Sequence, residues 1–191
     1  MQNSSVTQNA PVVPGKNTSI VVAKKRTSPA TISTVSINVI QNLHNMDLKN
    51  YTSTIPADRS ISRIEKLLVS IGATNINKEY DGNGMLKSIT FLIVVQGNTR
   101  PFKLPARVDV VEQLFRKEVK RPQPGTMERI AAQAERTAWK IIHDWVEVQV
   151  SMIKLEQAEF IQVFLPYAYD VSTNETFYDK LKSSGFKALN Q

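Results

Sequence analysis

Apolar side chains along the chain change their spacing several times, and each change predicts a different element. Between residues 61 and 71 they recur at helical intervals, and Gly72 follows, so the pattern predicts a first helix that ends there. Three alternating runs, 74–80, 86–95 and 99–104, are separated by glycine-containing turn sequences and predict an antiparallel meander. The middle run becomes apolar on both faces in its second half, which places it at the centre of the sheet.

Beyond the meander the spacing is that of helices. Residues 107–121 predict one short helix, and Pro-Gln-Pro-Gly breaks the chain after it. From Thr126 a helix of about 30 residues follows, because apolar residues repeat along it in a heptad pattern. The repeat consists of Ala134, Ala138, Ile141, Trp145, Val148, Met152 and Leu155. Such a stripe can face the sheet, another helix or a second copy. For a protein partner we predict an interface at Ile141, Trp145, Val148, Met152 and Leu155.

These elements predict an α+β fold: a small antiparallel three- to four-stranded sheet packed by a short helix and one long amphipathic helix. The fourth strand would be 51–55, a β-prone run closed by Pro56 and therefore placed at an edge. Residues 1–48 contain no aromatic side chain from Phe, Trp or Tyr, and their apolar residues stand largely apart among polar ones. This composition buries too little surface to offset the entropy of ordering. We therefore predict a flexible basic arm over 1–48 and a single domain over 49–191.

Two stretches of the arm differ from the rest of it. Residues 19–23 and 31–43 are rich in Ile and Val, which favour extended structure. Either stretch could become a strand on a partner.

The composition of the chain limits the reactions it could catalyse and the cellular compartment in which we expect it. The chain has 191 residues and a formal net charge of +7, and the first 50 residues hold five of its 24 Lys and Arg but only one acid. The absence of cysteine excludes disulfides, thiolate zinc sites and cysteine nucleophiles. The longest apolar run, 91–95, is far shorter than the ~20 residues of a membrane span. The first residues show no signal-peptide pattern, so we expect a cytoplasmic protein without a membrane partner.

Few side chains are suited to catalysis. The two histidines are His44, in the arm, and His143, which adjoins Asp144 and stands four residues before Glu147. A histidine and carboxylate pair of this kind is more typical of a helix surface than of a metal site. The seven glycines fit no phosphate-binding loop or dinucleotide fingerprint. We therefore expect no enzyme, no catalytic residue, no metal and no cofactor.

Cations collect in two places. One is Lys24-Lys25-Arg26 in the arm, and the other is a basic strip that runs beside Phe102 and Phe115. The basic strip consists of Arg100, Lys103, Arg107, Arg116, Lys117, Lys120 and Arg121. Convergent cations bind phosphate, and exposed rings stack on bases, so the strip indicates nucleic-acid binding. The alternative is that the cations are merely solvated and that the two rings belong to the core. We expect Phe102 and Phe115 to lie in the core, and we expect the last four cations of the strip to bind phosphate.

Several short motifs lie between residues 51 and 166. They are Thr52-Ser53-Thr54-Ile55-Pro56, Ile64-Glu65-Lys66-Leu67-Leu68 with Gly72-Ala73, Phe102-Lys103-Leu104-Pro105, Arg136-Thr137-Ala138-Trp139 and Ile153-Lys154-Leu155-Glu156. In these motifs the chain resembles a group of small uncharacterised proteins encoded by bacteriophages and prophages. The resemblance implies a viral or mobile-element setting, with the host cytoplasm as the compartment, and implies no catalytic activity.

Two functions fit these observations. The first is non-catalytic binding of DNA or RNA in a phage or mobile element, through the basic strip and the arm. The alternative is a protein-interaction module, such as an inhibitor of a host defence complex or a virion component, in which the arm and the heptad stripe contact protein or a second copy. Steep salt dependence of binding would distinguish the first from the second.

Overall fold

The computed structural model describes residues 48–187, and the fold is the α+β mixture that the sequence predicts. A helix precedes a three-stranded antiparallel sheet, and helices with a small hairpin follow it. The elements are α1 (Ala57–Val69), β1 (Thr74–Tyr80), β2 (Leu86–Val95), β3 (Asn98–Pro105), α2 (Val108–Glu118), α3 (Thr126–Lys154), α4 (Phe160–Phe164), a 3₁₀ turn (Leu165–Tyr167), β4 (Tyr169–Asp170), β5 (Glu175–Thr176) and α5 (Phe177–Ser183). No helix among the described residues is long and apolar enough to cross a membrane. Of the arm predicted over 1–48, residues 1–47, including Lys24-Lys25-Arg26, lie outside this range, whereas Leu48 is half-buried and packs against the core.

The core lies on one face of the sheet. β2 is the central strand, as predicted, and its Ile89, Phe91 and Ile93 are buried on the same side. Phe91 stacks on Phe102 of β3, with 5.7 Å between ring centroids, and meets Phe164 edge to face at 6.2 Å. The short helix α4 therefore contributes a fully buried ring to the face of the sheet.

The prediction of a strand over 51–55 is wrong. These residues form turns, and Asn50 before them has a positive φ of 64°. The carbonyl oxygens that a strand would offer to a neighbouring strand instead accept hydrogen bonds from α3: Gln133 Nε2 donates to Tyr51 at 2.8 Å and to Ser53 at 3.1 Å. The main sheet thus has three strands, and β4 and β5 form a separate pair next to β3, joined to it by a single bridge between Phe102 and Ala168.

The long helix α3 has the predicted length, 29 residues, but it buries two different faces. In its first half Ile130, Ala134 and Thr137 are buried, whereas in its second half the buried residues include Trp139 and Val146. Ile130 and Trp139 are separated by about two and a half turns, so the two buried faces point in opposite directions. Both α1 and α2 pack against this helix.

The heptad stripe therefore has two environments. Ala134 and Ala138 are buried, and Ile141 and Trp145 are half-buried, with Trp145 against the rings of α4 and the 3₁₀ turn. Beyond them the stripe faces outward: Val148 is 54% exposed, Leu155 is 67% exposed, and Met152 between them is half-buried. We call Val148, Met152 and Leu155 the open stripe.

Candidate nucleic-acid interface

The inner face of α2 fixes the direction of its charged side chains. Val108, Val111 and Phe115, spaced by three and four residues, are buried. The helix ends at Glu118, where the next residue takes an extended conformation, and a proline three residues later prevents it from resuming. Charged side chains are therefore confined to the outer face and to the residues after the last turn.

Four cations lie at this end of α2. They are Arg116, Lys117, Lys120 and Arg121, which we call the basic end, and all four are exposed. Arg116 shares its charge with Glu112, whose Oε1 accepts hydrogen bonds from Nε at 3.0 Å and from Nη2 at 2.5 Å. The other three have no acidic partner among residues 48–187. Neighbouring cations that form no ion pair give a positive potential that a bound anion would lower.

Lys103 of the predicted basic strip has a structural role instead. Its side chain is only 16% exposed, and its Nζ lies 2.7 Å from Glu79 Oε2, 3.2 Å from Asn174 Oδ1 and 4.9 Å from the centre of the Tyr169 ring. Hydrogen bonds from Lys103 and Ser88 lower the pKa of Glu79 below its ordinary value. Lys103 therefore joins β1 and β3 to the small hairpin and is not available to a phosphate.

Arg107 and Arg100 also lie apart from the basic end. Arg107 precedes α2 in the left-handed conformation, with its Nε 3.4 Å from Asp109 Oδ1. Arg100 is exposed at the start of β3 and lines a groove with Phe177 and other side chains of the small hairpin region. Of the seven cations in the predicted strip, only the last four stand together at one end of one element.

The aromatic side chains of the predicted strip belong to the core. Phe102 and Phe115 are both fully buried, as expected of the rings. Because stacking on a base needs an exposed ring face, neither can act as a stacking platform. The basic end thus offers charge without aromatic contacts.

A second cluster of polar groups surrounds Asp144 on α3. Its Oδ1 accepts from Lys140 and lies 3.1 Å from His143 Nδ1, and its Oδ2 accepts from Asn50 at 2.9 Å and lies 3.3 Å from Lys49 Nζ. Burial alone would raise the pKa of Asp144, but the hydrogen bonds from Lys140, Asn50 and His143 outweigh it and hold the pKa well below its usual range. This cluster, which we call the Asp144 clamp, holds the segment before α1 against α3 through Lys49 and Asn50.

The same cluster contains the one group of side chains among residues 48–187 whose spacing could hold a metal ion. One ligand atom each of His143, Asp144 and Glu147 lie within 4.8 Å of one another. Two ammonium groups already neutralise Asp144, however, and a divalent cation would have to displace them against their repulsion. The arrangement therefore suits a structural clamp better than a cation.

Sequence reasoning missed the Asp144 clamp. The one local signal was Lys140 four residues before Asp144, a spacing that brings two side chains together on a helix. Asn50 is 94 residues away in the chain, and no pattern pointed to it. A long-range contact of this kind depends on how the elements pack.

Fold and site together define a small α+β domain with a basic end. Among residues 48–187, three of the four cations of this basic end form no ion pair. No protein-family model, curated protein or solved structure matches the chain.

Proposed function

We propose that the protein is a non-catalytic nucleic-acid-binding protein that contacts the phosphate backbone through the basic end of α2. The observation that carries the proposal is a group of exposed cations beside Arg116 that form no ion pair within residues 48–187: Lys117, Lys120 and Arg121. Cations so placed neutralise phosphates and release counterions, which is the main source of sequence-independent affinity. The setting we propose, a phage or mobile element, rests only on the resemblance of residues 51–166.

Local structure supports a phosphate contact at this position. The basic end leads into a short loop that precedes the first turn of α3, where Gln123 N donates to Thr126 Oγ1 at 2.9 Å. The helix dipole adds partial positive charge at the start of α3, beside the loop, although Glu128 in the first turn offsets part of it. Because no ring is exposed at the basic end, binding should depend on backbone charge more than on base identity.

The first test measures affinity for labelled duplex DNA, single-stranded DNA and RNA across a salt series, with the full-length protein. We expect the logarithm of affinity to fall linearly with the logarithm of salt, with a slope of about −3 or steeper on duplex DNA if the basic end covers three to four phosphates. We expect no strong preference for single strands, because the described residues of the basic end include no exposed ring on which a base could stack. A preference above about tenfold for single strands at equal salt would contradict a contact made by charge alone.

A matched pair of variants tests whether the basic end is the site. Lys120→Glu with Arg121→Glu should weaken binding at least about tenfold and reduce the salt slope by about two, because two phosphate contacts are lost. Arg59→Glu with Arg63→Glu changes the net charge equally on α1, where both side chains are exposed and have no acidic partner among the described residues. Equal weakening by both variants would show that net charge, and not the basic end, governs binding.

A further inference from the structure

The residues just before α1 run along α3 in the opposite direction to it. Lys49 lies against Asp144, and the carbonyl oxygen of Tyr51 accepts from Gln133. As the residue number rises from 49 to 51, the partner on α3 moves toward the start of the helix. Read from Tyr51 back to Lys49, the path therefore points toward the C-terminal end of α3.

The open stripe lies ahead on this path. Leu155 stands eleven residues after Asp144, which is about three full turns and about 16 Å along the helix, so the two lie nearly in line. Val148 lies one turn beyond Asp144 and slightly to one side. At 54% and 67% exposure, Val148 and Leu155 are apolar side chains left without cover by residues 48–187.

We propose that residues 38–47 of this chain lie along the second half of α3 and cover the open stripe. Among these ten residues the apolar ones are Val39, Ile40, Leu43 and Met46, and the one formal charge at neutral pH is Asp47. An extended stretch of about five residues, or a helix of about eleven, spans the distance from Asp144 to Leu155. The chain before Leu48 is therefore long enough, apolar enough and correctly directed to occupy this surface.

A second copy is a weaker candidate for the same surface. A stable interface buries about 800 Å² on each partner, and three partly exposed side chains supply much less than that. Residues 38–47 are joined to Leu48, which already packs on the core, so the tether gives them a millimolar-range effective concentration at the stripe. The small apolar area is enough for a tethered segment and too small for a free partner. This inference is independent of nucleic-acid binding.

Engineered cysteine pairs test the contact, because the natural chain has no cysteine to interfere. In the full-length protein, Leu43→Cys with Met152→Cys should form an intramolecular disulfide at least about tenfold faster than Leu43→Cys with Lys154→Cys. Lys154 is exposed and lies on the other side of the helix from Met152, so it serves as the matched control. Equal rates for the two pairs, or a disulfide-linked dimer as the main product of Leu43→Cys with Met152→Cys, would overturn the proposal.

Hydrogen exchange provides a second readout in the natural chain. Amides of residues 38–47 should exchange at least about tenfold more slowly than the same sequence in a free peptide. Val148→Asp with Leu155→Asp should remove that protection, whereas Lys154→Asp should preserve it; all three positions are exposed, so the fold should persist. Exchange at the free-peptide rate in the unaltered protein would refute docking.

Discussion

Replacing Trp139 with alanine should lower the free energy of unfolding by about 3–5 kcal/mol, since it leaves a large cavity in the core. Trp139 is the largest of the fully buried side chains, and it lies where α3 changes its buried face. The loss would be measured by urea denaturation followed by circular dichroism. If the slope of the free energy of unfolding against urea concentration is unchanged, the variant differs in stability and not in the surface exposed on unfolding.

Two further substitutions separate the cavity from other causes. The indole Nε1 of Trp139 is buried and has no hydrogen-bond partner in the described part of the chain, so Trp139→Phe removes an unsatisfied donor together with some volume. We expect this variant to cost less than Trp139→Ala, about 1–2 kcal/mol. Val148→Ala, on the open stripe, should stay within about 1 kcal/mol of the natural protein. A loss below about 1 kcal/mol for Trp139→Ala would contradict the full burial of this side chain in the core.

Replacing Asp144 with alanine should destabilise the protein by about 2–3 kcal/mol at neutral pH. Its carboxylate is 16% exposed and accepts hydrogen bonds from Lys140 and Asn50, which would lose their partner on the helix. Hydrogen bonds to charged groups contribute about 1.5–3 kcal/mol, and the removal of one partner leaves the others partly buried and unsatisfied. Glu147→Ala, at an exposed position one turn away, is the control and should cost less than about 0.5 kcal/mol.

The loss in Asp144→Ala should depend on pH. The pKa of Asp144 is lower in the folded protein than in the unfolded chain, where it is about 3.9, so the carboxylate stabilises the fold fully above that value. The contribution falls as the pH drops through the folded pKa, because the unfolded state takes up its proton first. The difference in stability between the natural protein and the variant should therefore shrink on acidification. A difference that stays constant from pH 7 to pH 3 would contradict the clamp.

Much of the fold could be predicted because the sequence pattern is local. Alternation and turn residues predicted β1, β2 and β3 to within a residue or so, and the proline-glycine break located the start of α3. Each of these signals depends on neighbours along the chain. The prediction of a strand at 51–55 failed because two of its carbonyl groups accept hydrogen bonds from one side chain of α3, Gln133, about eighty residues away. Propensity for β structure does not report such a contact.

The candidate site was predictable to a similar degree. Charge density along the sequence located the basic end, and the expectation that Phe102 and Phe115 belong to the core is confirmed by their burial. Sequence could not show that Lys103 pairs with Glu79, because that contact depends on the register of β1 and β3 against β2. The heptad pattern also could not show that the stripe on α3 is buried at Ala134 and Ala138 but exposed at Val148 and Leu155, since the pattern continues unchanged to Leu155.

The change of buried face along α3 means that this helix cannot gain or lose residues without disturbing the core. An inserted or deleted residue between Ala138 and Trp139 would rotate the second half of the helix by about 100° relative to the first. Trp139, Val146 and Val150 would then leave the core together. A deletion would also turn Lys140, Asp144 and Glu147 toward the core in their place. Side chains in this stretch can be exchanged one at a time at a local cost, but the number of residues between Ile130 and Val150 is fixed by the two halves of the core. Insertions and deletions among related sequences should therefore fall in the loops and spare this helix.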